Sequence, residues 1–355
     1  MRAANNIFIR GVGAVSPAGW GVLPLRETLA KGEPLAIKEL VRPGWAHPLR
    51  VRPVPPPAAR PAFLGHARLR RTSPITQFAV AAALEALGAD AARVRDGSLL
   101  LGIVLCVMTG CVNYSRRFYD ETLKDPAMAS PILFPETVFN APASHLAALL
   151  ESNAINYTLV GDPGTFLQGV AAGANWLLED RAEACLVLGA EEIDWLTAEA
   201  YGLFARKVVL SEGAGAVYLC REIHDQPVVQ LHSVTESHLF LPGQNRAQAA
   251  QRMRAELPDG NPEHLLCDGT QGLRSLDAAE LEVWRDWPGS RSSPKEILGE
   301  GLAAASAWQC VAALDALREG QHAGATVSVV GCNQQAIGAH FVISNLKSQI
   351  SNPSE

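Results

Sequence analysis

Several things are missing from this sequence, and each absence removes a class of function. No stretch of 18 consecutive apolar residues occurs, so no membrane span is predicted. Met1 to Arg10 lacks the apolar run of a secretion signal, and the chain is expected to lie in the cytoplasm. Positive charge is not in excess: 30 Lys and Arg stand against 36 Asp and Glu, a net charge of −6 that argues against nucleic acid and against a polybasic membrane contact. The seven cysteines, at 106, 111, 185, 220, 267, 310 and 332, form no CxxC and have no paired histidine spacing. Buried free thiols are expected, with neither a metal nor any other cofactor. Gly11 and Gly13 begin a dinucleotide-type loop, but Ser16 stands where its third glycine belongs, and no acidic residue follows at the required distance.

The most informative absence lies in Thr158 to Leu178, TLVGDPGTFLQGVAAGANWLL. The segment reads as a short apolar strand (Ile155 to Val160), a tight turn and a long apolar helix. Asp162 suits an N-cap, and Pro163 suits the first helical position, where no N–H is needed. Phe166, Leu167, Val170, Trp176 and Leu177 make the helix apolar nearly all round, which predicts a place inside a large core. Such strand–turn–helix units often mount a nucleophile at the helix N-terminus, where amide groups and the helix dipole favour an anion. Here the turn holds no Ser, Cys or His.

What is present is the composition of a globular protein, 48% hydrophobic over 355 residues, enough for two fused similar halves. Ile7 to Val15 opens as a strand. The seven prolines between Pro43 and Pro61 predict an extended surface excursion. Helical spacing follows in Pro74 to Leu87, and Ser98 to Val107 is a strand covered on both faces. Thr109 to Ala141 is irregular and aromatic-rich, with Tyr114, Phe118, Tyr119, Phe134 and Phe139; it serves either as a lid over the core or as lining for a partner surface or apolar channel. Pro142 to Leu150 is a short helix whose His145 is a hydrogen-bonded packing residue rather than a catalyst.

Strands Ala184 to Ala190 and Gly213 to Cys220 complete a first set. A second begins with strand Val228 to Val234, helix Arg246 to Leu257, strand His264 to Cys267 and helix Leu276 to Trp284. After a short linking segment come the Ala-rich helix Leu302 to Leu317 and strands Thr326 to Val330 and Ala339 to Ser344. Both sets read β-α-β-α-β-α-β-β. Two all-apolar helices in matching places predict an α/β fold of five layers, α-β-α-β-α, with halves at 1–222 and 223–345 and a polar tail at 346–355.

An ordered series of segments resembles the β-ketoacyl synthases of the thiolase-like condensing enzymes: GVGAVSPAGWG from residue 11, NAPASHLA from 140, VLGAEE from 187, SEGAGAVYL from 211, CDGT from 267, SPKEILGEGLAAASAWQCVAAL from 293 and GCNQQAIGAHF from 331. The resemblance runs over about residues 5 to 345. It implies a thiolase-like fold and a reaction in which a Cys takes the acyl chain while two His promote decarboxylation of a malonyl unit. This chain departs from that set. Counting back from Gly189 places Pro163, or with one gap Asp162, at the Cys position; Asp268 stands for the first His and Glu300 for the second. Lys295 matches a family Lys.

A proline has no N–H for the oxyanion hole that the family builds at its nucleophile. Two carboxylates would repel an enolate rather than stabilise it, a difference of several kcal/mol in a low-dielectric cleft. The segment AEAYGLFARKVVL from residue 198 is also shorter than the family's gating region.

The resemblance therefore points to chain-length-factor-type subunits of type II polyketide and aryl polyene systems, which lack the nucleophile and pair with an active ketosynthase. It implies a heterodimer joined through Ile155 to Val160, contact with an acyl carrier protein, and Tyr114, Phe118, Phe134 and Phe139 near the partner's acyl tunnel. The alternative is a divergent acyl-processing enzyme using Asp162, Glu300 or Cys267; a structural relic or acyl-binding module is a third possibility.

Overall fold

In the computed structural model the described residues are 6–222, 227–241, 246–332 and 334–344; the predicted tail at 346–355 lies outside them. Ten strands of a twelve-stranded sheet fall into two groups of five. In chain order the first group is Phe8–Ser16, Leu101–Val107, Asn156–Val160, Ala184–Glu191 and Gly213–Cys220. The second is Val229–Val234, His264–Cys267, Ser290–Ser292, Gly324–Val330 and Gln335–Ile343. Each group lies across the sheet in the order third, second, fourth, fifth, first, with the first three of these parallel and the last two antiparallel to their neighbours. The repeat in element order is thus a repeat in topology. The groups join where Phe8 pairs with Gln230 and the Leu231 N–H donates to the Ile7 carbonyl at 2.9 Å.

Helices Thr165–Leu178 and Ala303–Arg318 pack between the two groups, sharing one core with Val104, Val187 and Val217 on one side and Cys267, Val327 and Phe341 on the other. The strands alternate, so Ile103, Leu105, Leu186 and Leu188 point the other way, onto helices Pro74–Leu87 and Ala141–Leu149. Helices Arg246–Ala255 and Arg274–Val283 cover the far face of the second group through Met253 and Trp284. These are the five predicted layers. Trp308 pins the central helix, its indole N–H shared between the Val15 and Ala214 carbonyls at 3.0 Å. No helix among the described residues is long and apolar enough to cross a membrane.

The structure corrects or refines several local readings. Gly11 and Gly13 serve packing: a Cβ at either would overlap a carbonyl oxygen of helix Pro74–Leu87, at Ala86 or Ala82. The Pro-rich excursion is not wholly surface. It supplies strand Leu49–Arg52, which pairs with Lys38–Leu40 and Leu210–Ser211 in a three-stranded side sheet, and Val51 is buried there against Ala198. Thr109 to Ala141 is not irregular throughout, because Val112–Lys124 is an α-helix held by successive i,i+4 contacts such as Arg117–Glu121. Pro163 precedes its helix, which starts at Thr165. That helix is not apolar all round: Gln168, Ala172, Asn175 and Leu178, at helical spacing, are half-buried or exposed. The linking segment after Trp284 holds strand Ser290–Ser292 and short helix Pro294–Leu298.

Three histidines line up across the second group. His340 lies 5.3 Å from His264 and 5.5 Å from His232, ring centre to ring centre, and bonds Thr326 Oγ1 at 3.0 Å. Burial first, then the charges His264 and His232 would carry, push His340 down to about 3. It is therefore neutral in the fold and protonates in the unfolded chain as pH falls through about 6.5. Stability is expected to drop from pH 6.5 to about 3 by on the order of 4 kcal/mol from this group, then level off. Glu191, Glu212 and Glu280, each raised to about 7 chiefly by burial, act in the opposite sense between about pH 7 and 4.5. The measure is thus the difference between wild type and His340→Gln in denaturant melts across this range. Parallel curves would exclude the effect.

Candidate functional site

The turn between strand Asn156–Val160 and helix Thr165–Leu178 is closed by Asp162. Its Oδ1 accepts from the Gly164 N–H at 3.0 Å and from Gln335 Nε2 at 2.9 Å; its Oδ2 accepts from the backbone N–H groups of Gln334 and Gln335 at 3.2 and 3.3 Å. The carboxylate is buried and ties the turn to residues 331–335 of the second half, and a Cβ at Gly331 would overlap it. Burial raises its pKa although all four donors favour the anion. An acceptor so fully engaged is a brace, not an exposed nucleophile. Pro163 is buried beside it and its carbonyl receives the Phe166 N–H.

Asp268 ends strand His264–Cys267. Its Oδ1 accepts from Ser293 Oγ at 2.7 Å, Thr270 Oγ1 at 2.8 Å and the Thr270 N–H at 3.1 Å. Behind it lies Glu280, which sequence reasoning missed because it reads as one more acid on an amphipathic helix. Glu280 is buried, accepts from the Gly269 N–H at 3.0 Å and from Ser328 Oγ, and is raised to about 7 by burial and then by Asp268.

Glu300 and Lys295 form a buried ion pair, Nζ to Oε2 2.8 Å, and the other Glu300 oxygen accepts from the Leu302 N–H at 2.8 Å. Burial opposes the Lys295 charge, yet Glu300 prevails and holds the pKa above its ordinary value. The Glu300 backbone is fixed by bonds of 2.9 Å to Val209 and Ser211 of the side sheet.

Cys332 and Tyr201 complete the cluster, and neither was singled out from sequence. The Cys332 thiol is pushed up to about 12 by burial, then by Glu300 and Asp162, with Lys295 opposing. The Tyr201 phenol is raised by burial, by Glu300 and by its bond to Cys332. The structure thus brings Asp162, Lys295, Glu300 and Cys332 within electrostatic reach of one another. The nearby thiol is held in its unreactive form, since the thiolate is the nucleophile. Cys267 is no nucleophile either: it is fully buried and pushed up to about 12, mainly by burial. The cluster is rich in acceptors, and its one buried ammonium is committed to Glu300. No group of three His, Cys, Asp or Glu suited to a metal ion occurs among the described residues.

No protein-family model matches the chain, and no curated protein matches it. Solved structures do. The ishigamide ketosynthase/chain length factor superposes with a TM-score of 0.77 at 22% identity, covering 96% of this chain and 100% of that one. A β-ketoacyl synthase from Burkholderia phymatum gives 0.78 at 15%, with 96% and 100% covered. This is the thiolase-like ketosynthase fold. The ketosynthase ApeO in complex with its chain length factor ApeC from Xenorhabdus doucetiae gives 0.76 at 15%, with 96% and 98% covered.

On this ketosynthase fold the aromatic segment faces outward. Phe134 is 58% and Phe139 44% exposed, and Phe118 stacks against Phe134 with ring centres 5.6 Å apart. Tyr114 is half-buried, its hydroxyl donating to the Arg71 carbonyl at 2.7 Å. Phe139 lies over Gly110 and Phe134 against Phe118, and each ring keeps an open face. His145 pairs with Glu136 at 2.7 Å, as expected of a packing residue. Among the described residues, strand Asn156–Val160 pairs only with Leu101–Val107, leaving an edge where Tyr157 and Val160 are half exposed.

Proposed function

We propose that this chain, with halves at 1–222 and 223–345, is a catalytically silent ketosynthase homologue. It acts as the chain-length-factor-like partner of an active ketosynthase in polyketide or fatty acid type synthesis, including the aryl polyene type. The carrying observation is the open edge of Asn156–Val160. A strand with one edge open among the described residues, bearing exposed Tyr157 and Val160, is a template for another sheet. Exposed Phe134, Phe139 and Ile132 offer the apolar area that an obligate interface requires. The replaced positions Pro163, Asp268 and Glu300 fit a subunit that shapes the product instead of making it. The acyl chain arrives on an acyl carrier protein docked to the complex.

Co-expression with a catalytically complete ketosynthase encoded beside it tests this reading. A 1:1 complex burying more than about 2,000 Å² is expected. Val160→Asp should dissociate it, and Phe118→Ala or Phe134→Ala should lengthen products without abolishing synthesis. A soluble monomer that leaves the ketosynthase's activity and product length unchanged would refute it.

A further inference from the structure

A cleft of about 300 Å³ opens above the Lys295–Glu300 pair, and Arg50, Arg52, Lys207 and Glu296 also line it. The side sheet explains why two arginines meet there. Residues two apart on a strand share a face, so Arg50 and Arg52 project together while Val51 turns into the small core with Ala198 and Leu210. Arg52 is only 8% exposed. Its single hydrogen bond among the described residues runs from Nε to the Leu35 carbonyl at 2.8 Å, leaving its remaining N–H donors without a partner there. No carboxylate among the described residues lies within ion-pair distance of Arg50, Arg52 or Lys207, although Glu39 stands opposite Arg50 on the adjoining strand. Burial, and then Arg50, lower the Arg52 pKa, as an uncompensated charge requires.

A buried guanidinium without a counterion is costly, and a fold retains one where something else neutralises it. The three cations less the one carboxylate, Glu296, leave a formal charge of +2, because Lys295 and Glu300 cancel. Paired guanidinium forks match the oxygens of a phosphoryl group. The volume exceeds that of a single phosphate, so there is room for the start of an ester substituent.

We infer that this cleft binds a phosphoryl dianion, with Arg52 as its main ligand and Arg50 and Lys207 completing the site. A dianion points to a free phosphate monoester; the phosphodiester that joins a phosphopantetheine arm to a carrier protein carries only one charge. The inference does not depend on pairing with a ketosynthase, and its test does not use synthesis as a readout.

The full chain, alone or in its complex, is titrated with inorganic phosphate in low-salt, phosphate-free buffer and followed by thermal melting and calorimetry. A saturable rise in Tm is expected. Arg52→Met should weaken binding about tenfold or more, and Arg50→Gln several-fold. Without phosphate, Arg52→Met should melt no lower than wild type, since it removes an unpaired charge. Should that variant not fold, the double variant Arg50→Gln/Lys207→Gln carries the same readout, and Arg252→Gln, on a distant helix, should change nothing. Phosphopantetheine, a phosphate monoester, binding at least about tenfold more tightly than phosphate would show that the cleft also holds the ester substituent, and equal affinity would show that it reads the phosphoryl group alone; both support the site. No saturable shift up to about 10 mM phosphate, or a shift undiminished in Arg52→Met and in the double variant, would overturn it.

Discussion

Incubated with acyl and malonyl thioesters, the chain on its own should carry no acyl adduct and release no carbon dioxide above background. Three features support this. Pro163 offers neither a nucleophile nor an N–H, Asp162 is engaged by four donors, and Cys267 and Cys332 are held as thiols, each pushed up to about 12. Where decarboxylation would build an enolate, the resemblance places Asp268 and Glu300, and the Lys295 ammonium is already paired at 2.8 Å. Loss of oxyanion stabilisation and of a proton donor together cost at least about 10³-fold in rate. Pro163→Cys alone should stay silent, because groups that act as a unit fail as a unit. Intact-protein mass spectrometry and release of labelled carbon dioxide are the measurements. A stable adduct near Asp162, or condensation by Pro163→Cys, would show that the site assignment is wrong.

Glu300→Ala should destabilise the fold by about 3–5 kcal/mol, the cost of leaving Lys295 charged and alone in the interior. The same change frees the Leu302 N–H that begins the central helix of the second half. Lys295→Met/Glu300→Leu should recover most of the loss, since well-packed apolar residues replace a buried pair at little cost. Restoring a family-like residue singly, as Glu300→His, should also destabilise, because it puts an imidazole beside an unpaired ammonium. Denaturant titration of wild type, Lys295→Met, Glu300→Leu and the double variant forms a double-mutant cycle. Single variants as stable as wild type would mean that water reaches the pair.

Much of the layered fold was legible from periodicity. Strand Ala184–Glu191 and helices Pro74–Leu87 and Ala303–Arg318 lie within a residue or two of their sequence positions, because continuous apolar runs of those lengths have no stable place except between layers. The repeat of element order also came from the sequence, since each half must bury the same set of faces. The irregular segments were less legible. Helix Val112–Lys124 is amphipathic with mostly polar residues and is stabilised by local ion pairs, so its apolar signal is weak. Strand Ser290–Ser292 is three residues long and has no pattern of its own; it exists because strand His264–Cys267 offers it hydrogen bonds.

The sequence by itself determined which chemical groups are missing. A chain with Pro163 at the turn and acids at 268 and 300 lacks a Cys-His-His set at those positions, however it folds. Tertiary structure alone decided what the acids do instead. Asp162 is a brace because Gln334 and Gln335, far along the chain, bring three of its four donors, and Glu300 is an ion-pair partner because bonds to Val209 and Ser211 fix its backbone beside Lys295. Burial, charge balance and the open edge at Asn156–Val160 depend on contacts between residues far apart in the chain. No local pattern encodes the dielectric or the neighbours that a side chain meets once those contacts form.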